Sequence, residues 1–202
     1  MTQSGEVNSV TDEILVEAYQ EELLAHDIYA KLIEAYPSLS EVQNIIESEA
    51  MHQEQVGGLL AIRGIPLPTE YGVYTDTYNT LLAMINESLS GAIEAGVMIE
   101  TGDIKHLLEE YKRIEDKDVR MVFENIGGGS YNHLRAFLRL AEENDYIVAT
   151  EYSSFLTPDE VGSTGSLKSK MTELLVSNNL PVYGASQGRR GGQGQGRGMG
   201  EY

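Results

Sequence analysis

The sequence predicts an all-α fold, a four-helix bundle with a long crossover between helices two and three. Two observations carry that reading. Four stretches of more than twenty residues place apolar side chains at three- and four-residue spacing, the period of one helix face. Between the second and third of them lies GIPLPTEYGVYT, a turn-rich segment far longer than the other links, and bundles commonly take one such long connection.

Taken in order, the first helix covers residues 11–36. Its inner face reads Leu15, Ala18, Glu22, Ala25, Tyr29 and Leu32, and it stops before Pro37, which cannot continue a helix. The second starts at a cap, Ser40, carries Val42, Ile45, Ile46, Val56, Leu59 and Leu60 inward, and ends at residue 63 before Gly64, Pro66 and Pro68. A shorter helical piece is expected at 76–88. The third long helix covers 89–111 with Leu89, Ile93, Gly96 and Leu107 on its face, and the fourth covers 116–144 with Val119, Phe123, Ile126, Phe137 and Leu140. Beyond Tyr146 the pattern weakens. Thr157 followed by Pro158 marks a helix start, and SLKSKMTELLVSNN offers one more short amphipathic helix. From Gly184 the chain reads GASQGRRGGQGQGRGMGEY, which has too few apolar residues to join a core and is expected to be disordered. The organisation is therefore a bundle domain over 1–160, a short helical extension over 161–183 and a Gly-rich tail over 184–202.

Composition narrows the function. A chain of 202 residues can bury one sizeable core. Its net charge of -18 argues against nucleic acid or an anionic membrane as a partner, because acidic side chains repel phosphates. With no cysteine, disulfides, thiolate metal sites and cysteine catalysis are excluded. No basic leader with an apolar run opens the chain, and no stretch is long and apolar enough to span a bilayer, so a soluble, cytoplasmic protein is expected.

The chemistry lies where the apolar stripes are interrupted. Helix one turns Glu22 inward, helix two Glu49 and His52, helix three Glu100 and Asp103, and helix four Ser130 and His133. The spacing repeats: Glu49 and His52 follow Glu22 by 27 and 30 residues, and Ser130 and His133 follow Asp103 by the same 27 and 30. Two copies of a helix pair would bring both sets to one level of the bundle. Four carboxylates in one apolar cavity cannot all stay ionised unless cations neutralise them, and two divalent ions balance their charge. Carboxylate mixed with imidazole suits iron or manganese.

The stretches EELLAHDIY, IETGDIKHL, FENI and GSYNHLRAF resemble those of the ferritin-like di-iron carboxylate proteins, with a rubrerythrin-like pair of carboxylates three residues apart on the third helix. They are more closely similar to the family catalogued as domain of unknown function 2202 (DUF2202), over roughly residues 12–160. The resemblance implies a ligand set of Glu22, Glu49, His52, Glu100, Asp103 and His133. In it Glu22 and His52 hold one ion, Glu100 and His133 the other, and Glu49 and Asp103 bridge. Ser130 stands where the ferritin-like pattern has a glutamate. The extra carboxylate of helix three can replace that ligand; an underliganded second ion would instead make a single-metal or zinc site. Either way, the short hydroxyl is expected to leave space for an oxidant or water.

Three neighbours are expected to support the ligands: Tyr29 on the inner face, Asp27 as acceptor for a ligand histidine's second N–H, and Ser130. His26 is expected on a solvent-facing shoulder and His106 at the surface. The run Gly127, Gly128, Gly129 costs a helix roughly 1 kcal/mol per residue against alanine, which suggests a bulge or a very close helix contact beside the site.

Two functions from different classes follow. The first is an oxidoreductase whose two irons react with O2 or H2O2, as a ferroxidase or a peroxide reductase; without cysteine pairs for a rubredoxin-type centre, its electron donor is a separate molecule. The second is a metal-binding or storage bundle without redox turnover. Manganese or zinc are the alternatives to iron, and a homodimer is among the assemblies the sequence allows.

Overall fold

The structure is a computed structural model that describes residues 9–149 and 154–183; the Gly-rich tail expected from residue 184 lies outside the described residues. Among these the chain is all-helical: seven α-helices, one 3-10 turn and no strand. None of the helices is long and apolar enough to cross a membrane.

Helix α1 (Val10–Ala35) starts at Ser9, whose hydroxyl accepts from the Asp12 N–H at 3.1 Å, and acidic Asp12 and Glu13 complement the positive end of the helix dipole. Helix α2 (Glu41–Ile62) departs from expectation at its start. Ser40 makes no side-chain cap bond, because its own backbone is already helical at φ −60° and ψ −23°. Leu39 and Ser40 carbonyls accept the first N–H groups instead, from Val42 and Gln43. The helix closes on Gly64 at φ +71°, with the Gly64 N–H bonded to Ala61 and the Ile65 N–H to Leu60.

After an extended run the crossover forms a 3-10 turn (Gly72–Tyr74) and helix α3 (Thr75–Glu87), which packs on α1 and on α4 (Leu89–Arg113). Ser88 caps α4 through the Gly91 N–H, and Asp116 caps α5 (Lys117–Glu143) through the Asp118 and Val119 N–H groups. Thr157 and Glu160 form a capping box on α6 (Pro158–Gly162), and α7 (Lys168–Ser177) lies along α5.

The dominant contacts are α1 with α2 and α4 with α5, and these pairs meet through α1–α4 and α2–α5. Their shared core includes Leu15, Ile28, Leu32, Val42, Val56, Ile93, Ile104, Phe123 and Phe137, all essentially without exposure. The predicted inner faces are thus the buried ones except at Ile46 and Leu89, which are half-buried at their edges, and the polar residues on them lie inside.

Candidate metal centre

Each of the four long helices contributes. Glu22 comes from α1, Glu49 and His52 from one turn of α2, Glu100 and Asp103 from one turn of α4, and Ser130 and His133 from one turn of α5. The six proposed ligands are 2% to 7% exposed, at the extremes of Glu100 and Asp103. Burial this deep is rare for acidic side chains unless they are paired.

Glu49 occupies the middle. Its Oε2 lies 3.0 Å from His52 Nδ1, which is also 3.3 Å from Glu22 Oε2; its Oε1 lies 2.8 Å from His133 Nδ1, which is also 3.5 Å from Glu100 Oε1. Two groups of three result, Glu22–Glu49–His52 and Glu49–Glu100–His133, each with its ligand atoms within 4.8 Å of one another. The imidazole centroids are 5.8 Å apart. His52 Nδ1 is in hydrogen-bond geometry with both its carboxylates. His133 Nδ1 differs: it is buried, close to two carboxylates, and in line for a hydrogen bond with neither.

Asp103 belongs to neither group. Ser130 donates to its Oδ2 and also lies 3.0 Å from the Ile126 carbonyl, so the serine hydroxyl is engaged and does not simply leave space beside His133. Residues separated by 27 in sequence are thus neighbours in both halves: Glu22 and Glu49 have carboxylate oxygens within 4.8 Å of each other, and Asp103 accepts from Ser130.

The electrostatics follow from enclosure. Burial, then the Glu49 charge, raises Glu22 well above the usual carboxylate range, and burial, then Glu21, does the same to Asp103. Burial also raises Glu100, against the pull of His133. Glu49 goes the other way: burial would raise it, but the two imidazoles bring it below the ordinary range. Burial would lower His133, yet Glu100 and Glu49 outweigh it and push it up to about 10. Burial thus works against ionisation at Glu22, Glu100 and Asp103, while Glu49 is held between the two imidazoles.

Of the supporting residues, Tyr29 is where the inner face puts it, fully buried against Phe137 and donating to Glu100. Burial, then Glu100, holds its phenol well above the usual range. Asp27 corrects the expectation. It bonds His26 Nδ1 at 3.0 Å and the Tyr71 hydroxyl at 2.9 Å and is not among the partners of either cluster histidine. Five residues beyond Glu22, at about 100° each, it points roughly 140° away, toward the crossover. His26 is about one-third exposed, on the shoulder expected of it.

His106 is a second correction, because it is not at the surface. It is half-buried, 2.5 Å from Glu21 Oε2 and 3.2 Å from the Tyr74 hydroxyl. The crossover covers this side of α4, and helix periodicity carries no information about where a crossover lies. The glycine run is a close contact and not a bulge, since α5 is continuous through it. A Cβ on Gly127 would meet Met171, one on Gly128 would meet Lys168, and one on Gly129 would sit 2.8 Å from His52 Cε1 and Nε2.

The sequence matches the family described as uncharacterized protein domain DUF2202 over residues 11–163. An uncharacterized protein of Methanocaldococcus jannaschii, MJ0754, is 32% identical, across 71% of this chain and 84% of the relative. The crystal structure titled hypothetical protein MJ0754 from Methanococcus jannaschii superposes with a TM-score of 0.67 at 28% identity, covering 81% of this chain and 99% of that one. The chain belongs to the DUF2202 family.

Proposed function

We propose that α1, α2, α4 and α5 form a ferritin-like four-helix bundle around a two-metal centre, with iron as the favoured ion, and that the loaded protein reacts with O2 or H2O2 as a ferroxidase or peroxide reductase. One observation carries the reading. Glu49 faces an imidazole with each oxygen, while His133 Nδ1, buried beside two carboxylates, is aligned for a hydrogen bond with none of the described residues. A cation between it, Glu49 and Glu100 would take all three as ligands. The donor set of carboxylate and imidazole fits iron or manganese, with zinc as the tetrahedral alternative.

In this reading Glu22, Glu49 and His52 hold one ion, and Glu49, Glu100 and His133 the other. Asp103, which accepts from Ser130, lies outside both groups. Bound iron supplies the one-electron chemistry toward the oxidant. The chain's own residues do the rest. Tyr29 fixes the orientation of Glu100, the apolar core of α1 and α5 keeps bulk water from the carboxylates, and protons displaced from the carboxyls leave with loading.

The depth of burial favours a second reading, a metal held for storage or stability without turnover, because structural metal sites are closed where catalytic ones stay open. Anaerobic Fe(II) titration followed by rapid mixing with O2 and, separately, H2O2 decides between them. Oxidation within seconds is expected for the first reading; iron that binds and stays ferrous supports the second.

A further inference from the structure

We propose that the cleft between α2 and α5 is where a small molecule without positive charge, of peroxide or azide size, reaches the metal centre. The inference rests on the two-metal reading above and specifies the ligand class of that site. The cleft has a volume of 540 Å³, and its buried lining consists of Ile45, His52, Gly129 and His133, one imidazole from each group of three. It therefore reaches the centre at its histidine side. The absent side chain of Gly129 is part of that opening: even a Cβ there would press on His52, so a larger group would fill the floor.

The charge around the cleft is unlike the rest of the molecule. On a chain with 32 acidic and 14 basic residues, its lining holds Arg139 and Lys168 against Glu41 alone. The Arg139 guanidinium donates to the Val161 and Ser163 carbonyls and Lys168 Nζ lies 3.5 Å from Asn125 Oδ1, all neutral partners, and among the described residues neither cation has a carboxylate in ion-pair range. A cation gains less here than over the surrounding acidic surface, whereas an anion meets a locally favourable field and a neutral molecule is not opposed by it. The cavity on the opposite side, 340 Å³ between α1, α3 and α4, is lined by Leu24, Leu81, Met98 and Ile99, ends at Glu21 and His106, and touches none of the six proposed ligands.

The test is an azide titration of the Co(II)-loaded full chain, read by visible absorption. Wild type should show a saturable shift. Ser48→Phe and Ala136→Phe, which narrow the cleft from its two walls, should each weaken azide at least about tenfold, roughly 1.4 kcal/mol, with Co(II) stoichiometry unchanged. Lys168→Glu, at an exposed position that cannot unfold the core, should weaken azide about threefold, as expected for one surface charge. Gly102→Phe, on the opposite cavity and with nothing within 4 Å of a Cβ, should change neither. A Co(II)-loaded wild type that ignores azide, or azide affinity untouched by the cleft variants, overturns the cleft as the site. A wild type that takes up no Co(II) overturns the two-metal reading itself, and this inference with it.

Discussion

Glu49 serves two imidazoles at once, one oxygen to each, and its ionisation holds the metal-free centre together. Glu49→Gln keeps the shape and removes the charge, leaving a protonated His133 buried without its main partner. That change should destabilise the metal-free chain by about 3 kcal/mol in urea unfolding; a loss near zero would mean the pair is not ionised. The same group sets the pH dependence. His133 is raised, so its contribution to stability is complete below the ordinary imidazole value of 6.5 and is lost as pH climbs through about 10. Glu49 is lowered, so its share is present above the ordinary 4.5 and is lost as pH falls through its depressed value. Divalent ions at neutral pH must then displace at least the His133 proton. Calorimetric titration in two buffers of different ionisation enthalpy should show that release, and an enthalpy independent of buffer would contradict it.

The helices repeat the lesson at the next scale. Each inner face was legible because a 3.6-residue period separates buried from exposed positions without any tertiary knowledge, and Glu22, Glu49, His52, Glu100, Asp103 and His133 are buried together as that period requires. Contacts that depend on how elements lie against each other were not legible. Asp27 and His106 face the crossover, and the Ser130 hydroxyl turns to Asp103; no periodic signal encodes these. The glycine run was visible as an anomaly, but its partner, the His52 ring, was not. Gly129→Ala should raise the intrinsic helix preference of α5 by about 1 kcal/mol yet displace His52, so metal affinity should fall at least about tenfold. Thermal melts and metal titration on the same variant separate the two effects, and unchanged affinity would show that the ring has room to move.

For the whole molecule, the chain is tied to the bundle through residues 181–183. The Tyr183 N–H donates to Glu124 at 2.7 Å, its ring faces Lys117 and Arg120, and the Pro181 carbonyl accepts the Tyr111 hydroxyl at 2.5 Å. A cut at Val182 would thus remove a residue tied to the fold. Truncation after Tyr183 should leave stability and metal binding unchanged, whereas truncation after Leu180 should cost about 1–3 kcal/mol through the lost partners of Glu124 and Tyr111. Equal melting temperatures for the two would show that this strap adds nothing.

The account as a whole depends on two ions sharing Glu49. Anomalous diffraction at the iron edge, from crystals grown anaerobically with Fe(II), tests this most directly. Two peaks per chain are predicted, one among Glu22, Glu49 and His52 and the other among Glu49, Glu100 and His133, with the Glu49 carboxylate between them. No peak at either position in crystals soaked to saturation, or a single ion bound away from Glu49, would contradict it.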